Sequence, residues 1–152
     1  MRVHPYCICT TVSARALAVL IESGGRGTYR DAHPWLAARD LLAAGAEAGE
    51  RVPVLFAAGQ PSRFSHWAMI DDIEVVELHR ATWETACRFT ALQPVNPIFE
   101  SPDSVFLKPS GEQLDRERRE GIHRHRYGLT ELELHPYAIC ETPPFILAAA
   151  SG

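Results

Sequence analysis

Residues 51–78, RVPVLFAAGQPSRFSHWAMIDDIEVVEL, decide the architecture of this chain. Val52, Val54, Leu55 and Phe56 are β-formers, apolar at consecutive positions, and a strand of that kind is buried on both faces. Gly59-Gln60-Pro61-Ser62 supplies the residues of a turn. Beyond it, Phe64, Ala68 and Ile70 keep one alternation, and Ile73 and Val75 keep the opposite one. The phase changes at Asp71-Asp72. Alternation cannot change phase within a continuous strand without a bulge or a bend, so one is expected there. A long bent strand belongs to a small barrel or a strongly coiled sheet.

Working outward, residues 6–12 (YCICTTV) read as the first strand, and Ser13 as the N-cap of a helix running to Glu22. Ser23-Gly24-Gly25-Arg26-Gly27 ends that helix and opens a flexible loop. Pro34 suits the first turn of a second helix over 35–44, with Trp35, Ala38, Leu41 and Leu42 as its inner stripe. Residues 80–95 alternate through Trp83, Thr85, Cys87, Phe89 and Ala91, which favours a strand over the competing helix. Pro94, Pro97 and Pro102 imply an irregular passage, and Val105-Phe106-Leu107 a short strand. Ser110 caps a polar helix, Gly111 to Glu120. Residues 135–142 (HPYAICET) read as the last strand, ended by Pro143-Pro144, with Phe145 to Leu147 packing on an apolar surface. The octets VHPYCICT (3–10) and LHPYAICE (134–141) echo one another. That is too little for a repeat and suggests two neighbouring strands in similar surroundings.

At 152 residues the chain is expected to be one domain, 1–152. A chain of ~150 residues buries about 70% of its unfolded surface without needing staples. The net charge of −4 excludes a generally cationic molecule, so any nucleic-acid contact has to use a local patch. Four cysteines do not make a disulfide scaffold at this length. The apolar run 16–21 is short and flanked by Arg15 and Glu22, unlike a signal sequence or a membrane span. A cytoplasmic protein with reduced thiols and no membrane partner is expected, and the Ala- and Arg-rich flavour suits a bacterial one.

The order of strand, helix, Gly-rich loop, short helix, strand pair, further strand, polar helix and closing strand is similar to the PUA-like superfamily, especially its EVE and ASCH branches. Gly49-Glu50-Arg51-Val52-Pro53-Val54-Leu55-Phe56 resembles the segment entering the barrel. Phe64-Ser65-His66-Trp67-Ala68-Met69-Ile70 with Ile73-Glu74-Val75 resembles the strand that crosses it, and Tyr137-Ala138-Ile139-Cys140-Glu141-Thr142-Pro143 the closing strand. The Gly-x-Lys-x-x-Glu-x-Arg signature of ASCH domains is absent, which argues against an ASCH-type activity. The resemblance implies an α+β fold, a small mixed PUA-like β-barrel with two or three peripheral helices. Its concave face would receive a nucleotide, often a modified or flipped base.

Four groups of residues could carry chemistry. A flipped base needs an aromatic surface and polar groups at its edge. Arg63, Ser65, His66 and Trp67 could supply these, with Trp35 as a second wall; the bland alternative makes both tryptophans core residues. Arg116, Arg118, Arg119, Arg124 and Arg126, with His123, His125 and Tyr127, form a basic run interrupted by acids. Arg116, Arg119 and His123 share a helix face that could neutralise phosphates, unless it is a solvated face of internal ion pairs. His4, Cys7, Cys9, His135 and Cys140 could approach one another if the echoing strands pair. However, the spacing of five between His and Cys puts them on opposite faces, so no metal is expected. Asp71, Asp72, Glu74 and Glu77, or Pro102-Asp103 with Lys108, match nuclease patterns incompletely, and no catalytic residue or cofactor is assigned.

The favoured expectation is a non-catalytic nucleic-acid-binding module. The alternatives are an enzyme acting on a small or nucleotide-like substrate in the same cleft, with His66 as its titratable group, and a subunit of a larger assembly docking through Trp35, Phe145 and Leu147.

Overall fold

The computed structural model describes residues 2–24, 26–59, 61–99 and 104–151. Its centre is a pair of parallel strands, β2 (Tyr6–Thr11) and β5 (Pro53–Ala58), aligned Ile8 to Val54 and Thr10 to Phe56. β5 is buried along nearly its whole length. Val54 and Phe56 enter one core while Leu55 and Ala57 enter another on the opposite face, which is why the run is apolar without alternation. The first core lies under α1 (Ala14–Glu22) and α2 (Leu36–Glu47). The second holds Phe64, Trp67, Val105, Leu129, Leu134 and Ile146, the last of these from α4 (Pro144–Ser151).

The remaining strands are β3 (Arg26–Asp31), β6 (Arg63–His79), β7 (Thr82–Phe99) and β8 (Ala138–Glu141). Together they form a six-stranded mixed sheet in the order β3-β7-β6-β5-β2-β8. A separate parallel pair joins β1 (Arg2–Val3) to β4 (Glu50–Arg51). β6 and β7 make one long hairpin. Its register slips between Ile70 and Asp72, which makes Asp71 the extra residue at the expected bend. The echoing octets lie side by side: β2 pairs antiparallel with β8, Cys7 opposite Cys140. Phe106 and Leu107 make single bridges to Gly128 and Cys140. α3 (Gly111–Glu120) starts at Ser110, whose hydroxyl accepts from Gln113 N, and ends at left-handed Gly121.

Several expectations are corrected. The described strands form an open sheet with edges β3 and β8 rather than a closed barrel, and among the described residues four α-helices accompany it. The sheet is nevertheless strongly curled. β3 and β2 stand four strand spacings apart, about 19 Å in a flat sheet, yet the Tyr29 hydroxyl on β3 donates to the Thr11 carbonyl on β2 at 3.0 Å. The supposed flexible loop after α1 is largely strand β3. Gly27 allows the close crossing over Phe89, and Thr28 and Tyr29 are β-formers. Gly25 in that loop and Gln60 in the hairpin turn lie outside the described residues.

The proline passage is strand as far as Phe99, because β7 pairs with β3 only up to Thr90 and its outer edge beyond is free of that partner. Pro102 and Asp103 lie outside the described residues. The last strand, Ala138–Glu141, is shorter than expected: its ladder with β2 begins only at Ala138, and Pro136 has no N–H to extend it. Trp35 precedes α2 rather than joining its stripe, and it is fully buried, so it contributes nothing to an exposed docking patch with Phe145 and Leu147. Among the described residues no helix is long and apolar enough to cross a membrane.

Candidate ligand groove

Parallel strands followed by turns and helices leave a crevice at their carboxyl ends. Here β2 runs out through Thr11 and Val12 to Ser13, whose side chain caps α1 by accepting from Ala16 N at 3.0 Å. β5 runs out into the turn carrying Gly59 and Ser62. Between them lies an open groove of about 750 Å³, lined by Thr11, Ser13, Ala14, Tyr29, Gly59, Ser62, Glu131 and His135 among others. The volume is that of a small-molecule site. Glu131 Oε1 accepts from Ser62 N at 2.9 Å, tying the 3-10 turn to the hairpin turn. Among the described residues no lysine or arginine lines the groove. Arg15 and Arg63, both exposed, directly follow the lining residues Ala14 and Ser62 in sequence. Burial, reinforced by the Asp31 charge, pushes the Tyr29 phenol up, so it stays a neutral donor.

Beside the groove the β3–α2 connection meets the segment before β8. Asp31 Oδ2 accepts from Trp35 Nε1 at 2.8 Å and lies 3.0 Å from His33 Nδ1. The Thr85 hydroxyl accepts from Trp35 N at 3.1 Å and donates to His33 O at 2.6 Å. The His33 ring stands edge-on to His135 at 5.0 Å, and Trp35 packs on Tyr137 at 4.9 Å. On the other side of this contact the buried Thr10 hydroxyl donates to Pro136 O at 2.8 Å. A carboxylate held by a buried indole therefore orients an imidazole next to the groove-lining one, an arrangement able to orient a polar ligand or move a proton.

The residues singled out from the sequence are dispersed. Trp35 is 0% exposed and Trp67 8%, each within a core, so neither indole lines the groove. His66 lies beside Phe56, its Nδ1 3.0 Å from Ser65 Oγ, and burial pulls its pKa down. Arg116 pairs with Glu112 at 3.7 Å. Arg126 pairs with Glu141 at 3.1 Å and lies over the Phe106 ring. Arg124 gives its backbone N–H to the buried Glu117. The Tyr127 hydroxyl accepts from Gln113 Nε2 at 2.7 Å. Among the described residues Arg63 and Arg119 have no carboxylate within ion-pair reach, so the basic run is neutralised in part by its own neighbours.

Asp71 and Asp72 are held by Arg51 and Arg88 at the bend. Cys7 and Cys9 sulfurs are 3.9 Å apart and buried with Cys140, and burial pushes the Cys9 thiol well up. Among the described residues no group of three or more His, Cys, Asp or Glu side chains is arranged to hold a metal.

Tyr29, Asp31, His33 and Glu131 were not singled out from the sequence, and His135 only as a metal ligand. The Asp31-Ala32-His33-Pro34-Trp35 run was the one local signal for Asp31 and His33. Fold and groove together define a mixed α+β domain with a crevice at the ends of two parallel strands. Comparison with family models, curated proteins and solved structures gave no match.

Proposed function

We propose that this chain is a nucleic-acid-binding module of PUA-like kind that receives an unpaired base in the groove between β2 and β5. The observation that carries the reading is the groove itself: large enough for a nucleoside, lined by Tyr29, His135, hydroxyls and the Glu131 carboxylate, among the described residues without a lysine or arginine, and with Arg15 and Arg63 following its lining residues. A planar, uncharged polar ligand suits that lining, and the exposed Arg15 and Arg63, each next in sequence to a lining residue, are the cations proposed to meet the adjoining phosphates. The curled sheet supports the PUA-like comparison. The stacking role first expected of Trp67 and Trp35 passes to Tyr29 and His135.

Fluorescence anisotropy with labelled single- and double-stranded oligonucleotides tests this. Single strands should bind more tightly. With two phosphates met, log K should fall with log salt with a slope of about −1.4, reduced in Arg15→Ala and Arg63→Ala. Absence of binding at low ionic strength would refute it. The oriented His33 beside His135 favours a second reading, an enzyme acting on a nucleotide-like substrate in the same groove. Product analysis with the unaltered chain and with His33→Ala separates the two.

A further inference from the structure

We propose that this groove selects guanine, and that Glu131 is the residue that makes the selection. The inference rests on the reading that an unpaired base enters here. Glu131 is the first residue of its 3-10 turn, and the Ser62 N–H bond to Oε1 holds its carboxylate against the groove wall. Among the described residues Oε2 meets no donor, and no cation lies within ion-pair distance of the side chain. Among the described residues the rest of the lining adds hydroxyls, rings and small or apolar side chains but no lysine or arginine. A base in the groove therefore meets a carboxylate with an unused acceptor.

A carboxylate only accepts hydrogen bonds. Guanine alone among the common bases presents two adjacent donors on its Watson–Crick edge, the ring N1–H and the exocyclic amino group. Adenine and cytosine offer one amino group beside a ring nitrogen acceptor, which a carboxylate repels. Uracil and thymine offer one N–H between two carbonyls. Glu131 is exposed, so water meets its carboxylate when a base lacks donors, and the selection expected is the difference between two charge-assisted hydrogen bonds and one. Serine hydroxyls at Ser13 and Ser62 can serve either role and do not discriminate.

The probe is a set of short oligothymidylates carrying one central guanine, hypoxanthine, adenine or cytosine, titrated against the full chain by anisotropy. Guanine should bind at least tenfold more tightly than adenine or cytosine. Hypoxanthine, which lacks the amino group, should fall between them. Glu131→Gln should bring guanine down to the adenine level and leave adenine within twofold. The guanine–hypoxanthine comparison needs no variant, and a thermal melt checks that Glu131→Gln is folded. Equal binding of all four probes, or a preference that survives Glu131→Gln, overturns guanine selection while leaving base binding intact. Failure of every probe to bind removes both.

Discussion

The Tyr29 hydroxyl donates to the carbonyl of Thr11 across a sheet in which three strands separate their own strands. Only a curled sheet permits this, and the bond lies at the edge of the groove. Tyr29→Phe keeps the ring contacts with Phe56 and Trp35 and removes the donor. The expected loss is about 1 kcal/mol of unfolding free energy, read from urea denaturation with an unchanged m-value. Because burial holds the folded-state phenol pKa above its ordinary 10.0, folding stability should begin to fall as pH climbs past 10. Tyr29→Phe should remove that part of the alkaline decline.

A Cβ added at Gly27 would stand 2.9 Å from Phe89 Cζ and 3.3 Å from Leu20 Cδ2. Both neighbours are core side chains, so β3 or the ring has to move. Gly27→Ala should cost about 1–3 kcal/mol by overpacking. Since β3 carries Tyr29 into the groove, the same variant should weaken oligonucleotide binding. A variant as stable as the parent would show that β3 is not pressed onto Phe89.

The indole N–H of Trp35 holds a carboxylate that is itself largely covered: the Asp31 side chain is 13% exposed. Trp35→Phe retains an aromatic ring against Tyr137 but leaves Asp31 Oδ2 without that donor. A hydrogen bond to a charged group is worth about 1.5–3 kcal/mol, and a loss of that size is expected in chemical denaturation. Asp31→Asn should loosen His33, seen as a broadened or shifted imidazole resonance. An unmoved His33 signal would refute the positioning role of Asp31.

Much of this fold was written in local pattern. The run Val52 to Phe56 announced a strand with two buried faces, the phase change at Asp71-Asp72 announced the bulge, and Ser13 and Ser110 announced two helix starts. β3 was hidden because Gly24 and Gly25 read as punctuation, and its strand character depends on pairing with β7, a contact far away in sequence. The groove was hidden for the same reason. Tyr29 comes from β3, Ser62 from the β5–β6 turn, and Glu131 and His135 from the α3–β8 connection, and they meet only after the sheet curls. Conversely, Trp35 and Trp67 looked like binding groups because a tryptophan fits a core and a base-stacking surface equally well by type. Burial alone distinguishes the two uses.

His66 offers a readout of the β5–β6 wall. Burial disfavours its charged form and lowers its pKa from the ordinary 6.5. The unfolded chain therefore takes up the proton first as pH falls. The stability this neutral ring contributes is whole above pH 6.5 and is lost as pH drops through the lower folded-state value. Histidine resonances followed by NMR from pH 8 to 4.5 should place His66 below 6.5. Denaturation midpoints of the unaltered chain should decline over the same interval more steeply than those of His66→Gln. A His66 titration at or above 6.5 would mean that the ring faces solvent, and that the wall beside Phe56 is looser than its register implies.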